Sequence, residues 1–571
     1  MSRRSGCQFS VKDVSLRKLI TDSHYKMENE TKPVDKQNQN VTRAAGIVSI
    51  AVMMSRVLGL ARETAIGYYF PSKTIADPFY LAFRIPNFLR DMFGEGILSK
   101  AFITTFLATE AEDGEEAAWN LANRIFNLTF LVLIGITVLG IIFAPVIVDV
   151  LARDNFDKNL DTVEHFGFDN KIELAIYLTQ LMFPYLLFVS FAAIAMGLLN
   201  SKGTFGIPAC ASAFFNVGSL VVGISGYYLC PLVEIHPITG MAMGVIVGGI
   251  AQFLIQVPSM HRVGFRYRPL LSLRDPRVLQ VIRLIGPAVL GVAAVQVNLL
   301  TNTFFITSGS GWLTWISRAY RVMHLPIGIF GVAISTVALP QLARFVAAGE
   351  TENFRTALSY ALRLMLVLTI PAGIGLMVLS APICRLLYEW GVTLEEDTIG
   401  TAGLLFVYAF GLCGFSTLKI ATDGFYAYRD IRAPVIVSIC AVVLNICLNY
   451  LFIYRGLFLD PRAVVFSTVL TVTLNCAVLL LLLRRKVGRL GFRSLITLTS
   501  KILIASAVMG LFCWVTNGVI ENDWLGTVGI IPRTTGVFAP IGVSLLILAA
   551  MYKLLKVSEF DDILNTFKQR L

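Results

Sequence analysis

The sequence predicts an all-α polytopic membrane protein of about fourteen transmembrane helices. Three observations predict it. Of 571 residues, 56% are apolar and only 15% are charged, whereas a soluble domain carries about 25% charge. Long apolar stretches run without interruption, as in Phe130-Leu-Val-Leu-Ile-Gly-Ile-Thr-Val-Leu-Gly-Ile-Ile-Phe143, and a transmembrane barrel would instead alternate apolar with polar residues. The connections between these stretches alternate in charge. A water-soluble enzyme, a disordered chain, a collagen-like fibre and a disulfide scaffold are excluded by the same composition. A spanning helix takes about 20 apolar residues, so fourteen use about 280, close to half the chain.

Residues 1–40 are polar and lack an apolar core of signal-peptide length, so they read as a disordered cytoplasmic extension. Spans are then expected at about 42–70, 74–108, 120–152, 172–200, 205–229, 237–260, 280–308, 312–345, 354–388, 398–427, 432–454, 462–483, 494–516 and 534–556. The first six form an N-lobe over 41–262 and the next six a C-lobe over 263–489. Residues 490–571 hold two extra spans and a cytoplasmic tail. The even connections are basic: Arg262, Arg266, Arg268, Arg274, Arg277 and Arg283 follow span six, Arg429 and Arg432 follow span ten, and Arg484, Arg485, Lys486, Arg489 and Arg493 follow span twelve. The long odd connections are acidic, with Asp154, Asp157, Asp161, Glu164 and Asp169 after span three and Glu395, Glu396 and Asp397 after span nine. The acidic stretch 110–116 runs against this pattern, but acids weigh little in the orientation rule. Both termini are therefore expected in the cytoplasm. The net charge of +11 reads as that topology signal rather than as a nucleic-acid surface. The nine cysteines are scattered, mostly in apolar runs, and suggest neither a zinc site nor a disulfide framework.

An internal repeat adds a second layer. Ala82-Phe83-Arg84-Ile85, Phe93-Gly94, Ile97 and Ala101 recur as Ala319-Tyr320-Arg321-Val322, Phe330-Gly331, Ile334 and Ala338, always 237 residues apart. Span two then corresponds to span eight. Two packed repeats with a site between them is a transporter layout.

Charge inside a membrane is expensive, about 2.5–3.5 kcal/mol per residue on insertion scales, and faces a cavity or a partner. Span one carries Arg56, Gly59 and Glu63 on one face with Arg62 beside it. Span two carries Asp77, Arg84, Asn87, Asp91 and Glu95 as a single stripe, flanked by Arg90. Span eight carries Ser317, Arg321, His324, Gly328 and Gly331, flanked by Arg318. The plainer reading is that these groups pair with one another or that Arg62 and Arg90 snorkel to the interface. Yet Arg56, Arg62, Arg84, Arg90, Arg318 and Arg321 outnumber Glu63, Asp77, Asp91 and Glu95. Surplus guanidinium in low dielectric calls for an anion, and guanidinium grips phosphate bidentately. A cavity for a phosphorylated substrate is expected.

Ser55-Arg-Val-Leu-Gly-Leu-Ala-Arg-Glu63, Ala76-Asp-Pro-Phe-Tyr-Leu-Ala-Phe-Arg-Ile-Pro-Asn-Phe-Leu-Arg90 and Phe93-Gly-Glu-Gly-Ile-Leu-Ser-Lys-Ala-Phe102 resemble the opening of the MviN/MurJ lipid II flippases. Further matches are Phe183-Pro-Tyr-Leu186, Gly286-Pro-Ala-Val-Leu-Gly291 and Arg321-Val-Met-His-Leu-Pro326, and the resemblance runs from about Val41 to the end. It implies two six-helix lobes in a V-shaped arrangement plus two C-terminal helices, a fold of the MOP exporter superfamily. It implies translocation of lipid II, the undecaprenyl-pyrophosphate-linked peptidoglycan precursor, to the outer leaflet of the bacterial inner membrane, and so a part in cell-wall biogenesis and cell shape. Carried over by motif, the cavity cations are Arg56, Arg62, Arg90 and Arg321 and the acids Glu63 and Asp77; His324 stands where some members carry glutamate. Some members bind sodium in the second lobe, near positions held here by Asn302, Asn445 and Asn449. Those amides lack a carboxylate, which hard cations favour, and interhelical hydrogen bonding is the plainer reading. No cofactor is expected, and the membrane potential, sodium or protons are the candidate drives. Rivals are an exporter of another polyprenyl-linked glycan and a membrane-embedded enzyme acting on lipid-linked pyrophosphate. The second would need a nucleophile or a metal site, and the five histidines are dispersed.

Overall fold

The structure, a computed structural model, describes residues 48, 50–93, 97–152, 156, 167–456, 460–488, 491–524 and 526–568. The expected extension over 1–40, Glu95, and Asp154, Asp157, Asp161 and Glu164 lie outside them. The described residues form helices and short connections, with no strand among them.

In chain order, α1 covers residues 50–69 and a π-helical turn, Ser72–Ala76, leads into α2 (Asp77–Phe93). There follow α3 (Ile97–Asp113), α4 (Glu115–Leu151), α5 (Lys171–Met182), α6 (Tyr185–Ser201), α7 (Gly206–Leu229), α8 (Ile238–Leu254), α9 (Val257–Arg262) and α10 (Pro276–Ile306). Then come α11 (Trp312–Pro326), α12 (Val332–Ala347), α13 (Thr351–Val378), α14 (Ser380–Tyr388) and α15 (Glu395–Ala427). The chain ends with α16 (Arg432–Asn449), α17 (Pro461–Val487), α18 (Phe492–Gly518), α19 (Ile530–Leu554) and α20 (Ser558–Lys568).

Several starts are written in the sequence. Asp275 and Asp460 accept from the backbone N–H two residues on, at 2.8 Å each, with Pro276 and Pro461 as the first helical residue. Asn170 caps α5 through the Glu173 N–H at 2.7 Å. Among the described residues, ten helical segments are long and apolar enough to cross a membrane. The pair Trp312–Gly331 and Ala333–Ala347, bent by 41° beyond Pro326, makes eleven. The segments expected near 42–70, 74–108 and 280–308 are helical among the described residues but are not in that count. The figure of fourteen therefore rests on sequence pattern. What length and composition support is the lower number.

In the first half, α2 packs on α5, α3 on α4 and α6, and α8 on α6 and α7. The α7–α8 contact is closest because small residues face each other: Gly226 meets Gly240, and a Cβ on Gly244 would lie 2.6 Å from the Ser219 carbonyl oxygen. In the second half, α15 packs between α13 and α17, and α16 joins α10 to α17. The last helices, α18 and α19, pair with each other, and α18 also lies on α13. The halves meet where α10 and α11 lie on α2. The acidic stretch that broke the charge pattern has a structural use. Glu112 and Asp113 take Arg277 at 2.5 and 2.9 Å, Glu110 pairs with Lys202, and Asp275 pairs with Arg124. These pairs clasp the α3–α4 hairpin to the start of α10 and to the end of α6.

Two contacts across the halves join repeat-equivalent residues. Ser310 Oγ donates to the Lys73 carbonyl at 3.4 Å, and Thr314 Oγ1 donates to Asp77 Oδ1 at 2.5 Å; each pair is separated by 237 residues, the repeat offset. Equivalent residues meet each other only beside a two-fold axis. The repeat is thus visible as a pseudo-two-fold relation between α2 and α11.

Candidate functional site

A cavity of about 790 Å³ lies between the halves, walled by α1, α2, α6, α7, α8 and α11. Arg56, Arg62, Arg90, Arg321 and His324 all line it, with Ser55, Asn87, Asn216, Gln252, Gln256 and Ser317 as uncharged polar groups. Arg56 and Arg62 come from α1, Arg90 from α2 and Arg321 from α11. The wall reaches Val48 and Val52 at the start of α1.

Each cation is held by a different device. Arg56 Nη1 donates to the His324 carbonyl at 2.8 Å, and its guanidinium packs on Gly328, where any Cβ would collide with it. Arg62 is 6% exposed and lies over the rings of Phe83 and Phe215, 5.6 and 5.3 Å from their centroids. Its Nη2 donates to Glu63 Oε1 at 3.2 Å. Arg321 Nη2 pairs with the same oxygen at 2.7 Å. Tyr80 donates to the other oxygen, Oε2, at 2.5 Å. Arg90 Nη2 pairs with Asp91 Oδ1 at 2.6 Å. Four cations thus face the cavity and two carboxylates touch them from behind. Arg56 Nε, Arg62 Nε and Nη1, and Arg321 Nε are buried N–H groups without a protein partner. That arrangement can accept a dianion.

The other expected cavity residues lie elsewhere, and each is a correction. Asp77 does not face the cavity. It caps α11, accepting from the N–H groups of Gly311 and Thr314 at 2.6 and 2.9 Å, because a carboxylate is stabilised at a helix N-terminus. Glu63 is 1% exposed and serves as a shared counter-ion behind Arg62 and Arg321. Asp91 is turned to Arg90 and to Gln296 Nε2, at 3.1 Å. Arg84 points away and donates to Thr303 Oγ1 at 2.6 Å, joining α2 to α10. Arg318 is fully buried outside the cavity wall. The stripe on α2 gave the face but not the depth, and different neighbours cover that face along its length. His324 lines the cavity, with Nδ1 3.0 Å from the Tyr320 carbonyl and its ring stacked on Tyr320 at 3.9 Å.

Asn302, Asn445 and Asn449 are brought together, but as a closed network. Asn449 Nδ2 donates to Asn302 Oδ1 at 2.7 Å and to Asn445 Oδ1 at 3.1 Å. Ser467 donates to Asn449 Oδ1. Asn445 Nδ2 donates to Ser467 Oγ at 3.1 Å, and Asn302 Nδ2 to Thr468 Oγ1 at 3.1 Å. Every amide oxygen already accepts, the donor set carries no charge, and amide N–H groups point into the cluster. These residues do not fit a sodium ion. They pin α10, α16 and α17 together. Among the described residues, no group of three or more His, Cys, Asp or Glu side chains could hold a metal.

Sequence reasoning missed Asn216, Gln252 and Gln256. Asn216 lies on α7, Gln252 on α8 and Gln256 at the start of α9, where isolated amides in apolar runs gave no charge signal. Asn216 Nδ2 donates to the Ser55 carbonyl at 3.0 Å, which fixes α7 against the arginine-bearing α1.

Comparison with known proteins adds a separate line. Residues 66–533 match the family described as lipid II flippase MurJ. A probable lipid II flippase MurJ of Vibrio cholerae serotype O1 is 31% identical over 481 residues, 84% of this chain and 89% of that protein. A lipid II flippase MurJ of Burkholderia cenocepacia is 32% identical over 419 residues, 72% of this chain and 78% of its own. Among solved structures, a lipid II flippase MurJ in an inward closed conformation superposes with a TM-score of 0.71 at 24% identity, covering 89% of this chain and 99% of that one. An inward-facing multidrug resistance MATE family transporter of the MOP superfamily gives 0.64 at 16% identity, covering 78% and 98%. The structural likenesses carry the fold alone.

Proposed function

This chain belongs to the lipid II flippase MurJ family, and from that premise we propose that its arginine cavity grips the diphosphate of lipid II during translocation. The activity is transport across a bacterial inner membrane by a multi-pass protein; no bond is made or broken. The observation that carries the cavity reading is that Arg56, Arg62, Arg90 and Arg321 line one cavity between the halves, while N–H groups of Arg56, Arg62 and Arg321 have no protein partner. A diphosphate offers several anionic oxygens to such donors, and charge-assisted pairs of this kind are strong in a site shielded from water.

The basic even-numbered connections support a topology with both termini in the cytoplasm. The end of the cavity near Val48 and Val52 then faces the cytoplasm, and the contacts of Asp77 with Gly311 and Thr314 close the far side. The head group enters from the cytoplasmic leaflet while the polyprenyl tail stays in lipid. Binding neutralises the guanidinium surplus and so lowers the repulsion that holds the inner halves of α1, α2 and α11 apart. The halves then rock about the α2–α11 axis and release the diphosphate outward. The amide network on α10, α16 and α17 takes no part in ion coupling. The membrane potential is the drive, because an interior-negative potential favours outward movement of an anion by about 2.3 kcal/mol per charge per 100 mV.

A leaflet-resolved assay in proteoliposomes tests this reading. Lipid II should be translocated, and a polyprenyl diphosphate with a different glycan should be translocated more slowly. Equal rates for any glycan would reassign the substrate, and product formation from lipid II would make the protein an enzyme.

A further inference from the structure

Two arginines on α11, three residues apart, meet opposite fates. Arg321 lines the cavity with its side chain 35% exposed. Arg318 is 0% exposed and is absent from the cavity wall. Its Nε, Nη1 and Nη2 are all buried without a hydrogen-bond partner, and no ion pair reaches it among the described residues. Guanidinium does not deprotonate in proteins, and an unpaired buried charge is strongly unfavourable. The ring of Tyr388, 5.3 Å from Cζ, offers a face but no acceptor. Packing does not require a cation here either. The repeat-equivalent residue in the first half is Leu81, also 0% exposed and apolar.

What covers Arg318 is a seam between the halves. A Cβ on Gly67 would lie 2.9 Å from Nη2, and Thr393 Oγ1 lies against the same point. Gly67 lies in the last turn of α1, and its carbonyl accepts from Thr393 Oγ1 at 2.6 Å. The next carbonyl, that of Tyr68, accepts from the Val392 N–H at 3.1 Å. Gly391, at φ +65°, packs on that same carbonyl, an approach and a backbone angle that suit only glycine. This seam lies about 24 Å along α1 from Val52 at the cavity mouth. It is the seam that must part if the far side is to open.

We propose that Arg318 is a concealed diphosphate-binding residue of the release side, uncovered when residues 67–68 separate from 391–393. The proposal rests on the flippase reading above. Arg321 holds the diphosphate in the inward state. Arg318, one turn nearer the exit on the same helix, takes it once the seam parts. The same charge, buried without a partner in the closed seam, biases the seam towards parting. The ligand chemistry is a diphosphate, whether free or carried on a lipid.

The test uses the full chain in nanodiscs, spin-labelled at Tyr68 and Val392, residues that are 47% and 41% exposed. Inorganic pyrophosphate and lipid II are added in separate arms. Pulsed-EPR distances should show a long-distance population that grows with ligand. Arg318→Met should reduce that ligand-induced growth about tenfold, the effect of losing roughly one charge-assisted bond, and Arg318→Lys should restore part of it. Growth with lipid II alone assigns the site to the lipid-borne group, and growth with both assigns it to diphosphate in general. Equal growth in wild type and Arg318→Met overturns the inference while leaving the cavity reading intact. No binding of either ligand by the wild type overturns the cavity reading instead. A second measurement needs no substitution: phenylglyoxal labelling of the unaltered protein, mapped by mass spectrometry. Arg318 should be unreactive at rest and become reactive during turnover, and an Arg318 still unreactive while Arg321 reacts overturns the proposal.

Discussion

At the scale of single residues, the cavity rests on charges with unequal duties. Arg62 presents two unpartnered N–H groups while its third nitrogen is tied to Glu63. Arg62→Ala is expected to weaken lipid II binding about 10- to 100-fold, the range for losing a charge-assisted contact, while the protein still inserts and folds. A binding titration checks this. Glu63 acts differently. It is buried, touches Arg62 and Arg321, and does not line the cavity. Glu63→Gln leaves two cations short of their counter-ion and should lower stability by about 3–5 kcal/mol, read as a fall in melting temperature in detergent. An unchanged melting temperature would contradict the counter-ion role. The arginines were legible in the sequence because charge in an apolar helix is costly enough to stand out. Their partners were not. Helical spacing tells which residues share a face, but Asp77 and Arg84 lie on the α2 face with Asn87 and are covered by α11 and α10 rather than by the cavity.

At the scale of elements, the cavity depends on where helices bend and how closely they approach. The π-helical stretch Ile327–Gly331 after Pro326 brings Gly328 against the Arg56 guanidinium. Gly328→Ala should displace Arg56 and reduce transport with little change in expression; transport at the wild-type rate would remove Gly328 from the site. The connection between α7 and α8 carries a pH dependence. His236 is 2% exposed, and its Nδ1 accepts from the Ile238 N–H at 3.2 Å, so its neutral form is the one that fits. Burial pushes its pKa down from 6.5 to about 4. The unfolded chain binds this proton first as pH falls, so the stability it contributes is complete above about pH 6.5 and is lost on the way down to about pH 4. The melting temperature should fall across that window, by the equivalent of about 3 kcal/mol, and His236→Gln should flatten the fall. An equal fall in both proteins would contradict this assignment. Helix existence was legible throughout, because apolar runs of this length have few other solutions. The bends were less so: Pro326 marks one, but nothing in the spacing announces a π-helical turn.

At the scale of the whole molecule, the repeat was the most informative feature of the sequence. An offset of 237 residues predicted paired helices, and the contacts Lys73–Ser310 and Asp77–Thr314 sit at that same separation. What the repeat could not give is where symmetry is broken. Arg318 opposite Leu81 is one such break, and the second-half cluster of Asn302, Asn445 and Asn449 is another. That cluster needs no ion, so transport should be indifferent to replacing sodium with potassium on both sides. It should slow when valinomycin and potassium collapse the membrane potential. A rate that follows the sodium gradient at constant potential would contradict the proposed drive. The central claim, that guanidinium groups from both halves hold one diphosphate, is tested most directly by native mass spectrometry of the purified protein with lipid II. The wild type should retain one lipid II, and the Arg56→Ala, Arg62→Ala, Arg321→Ala triple variant should release it while remaining folded. Equal retention by the triple variant would contradict the claim.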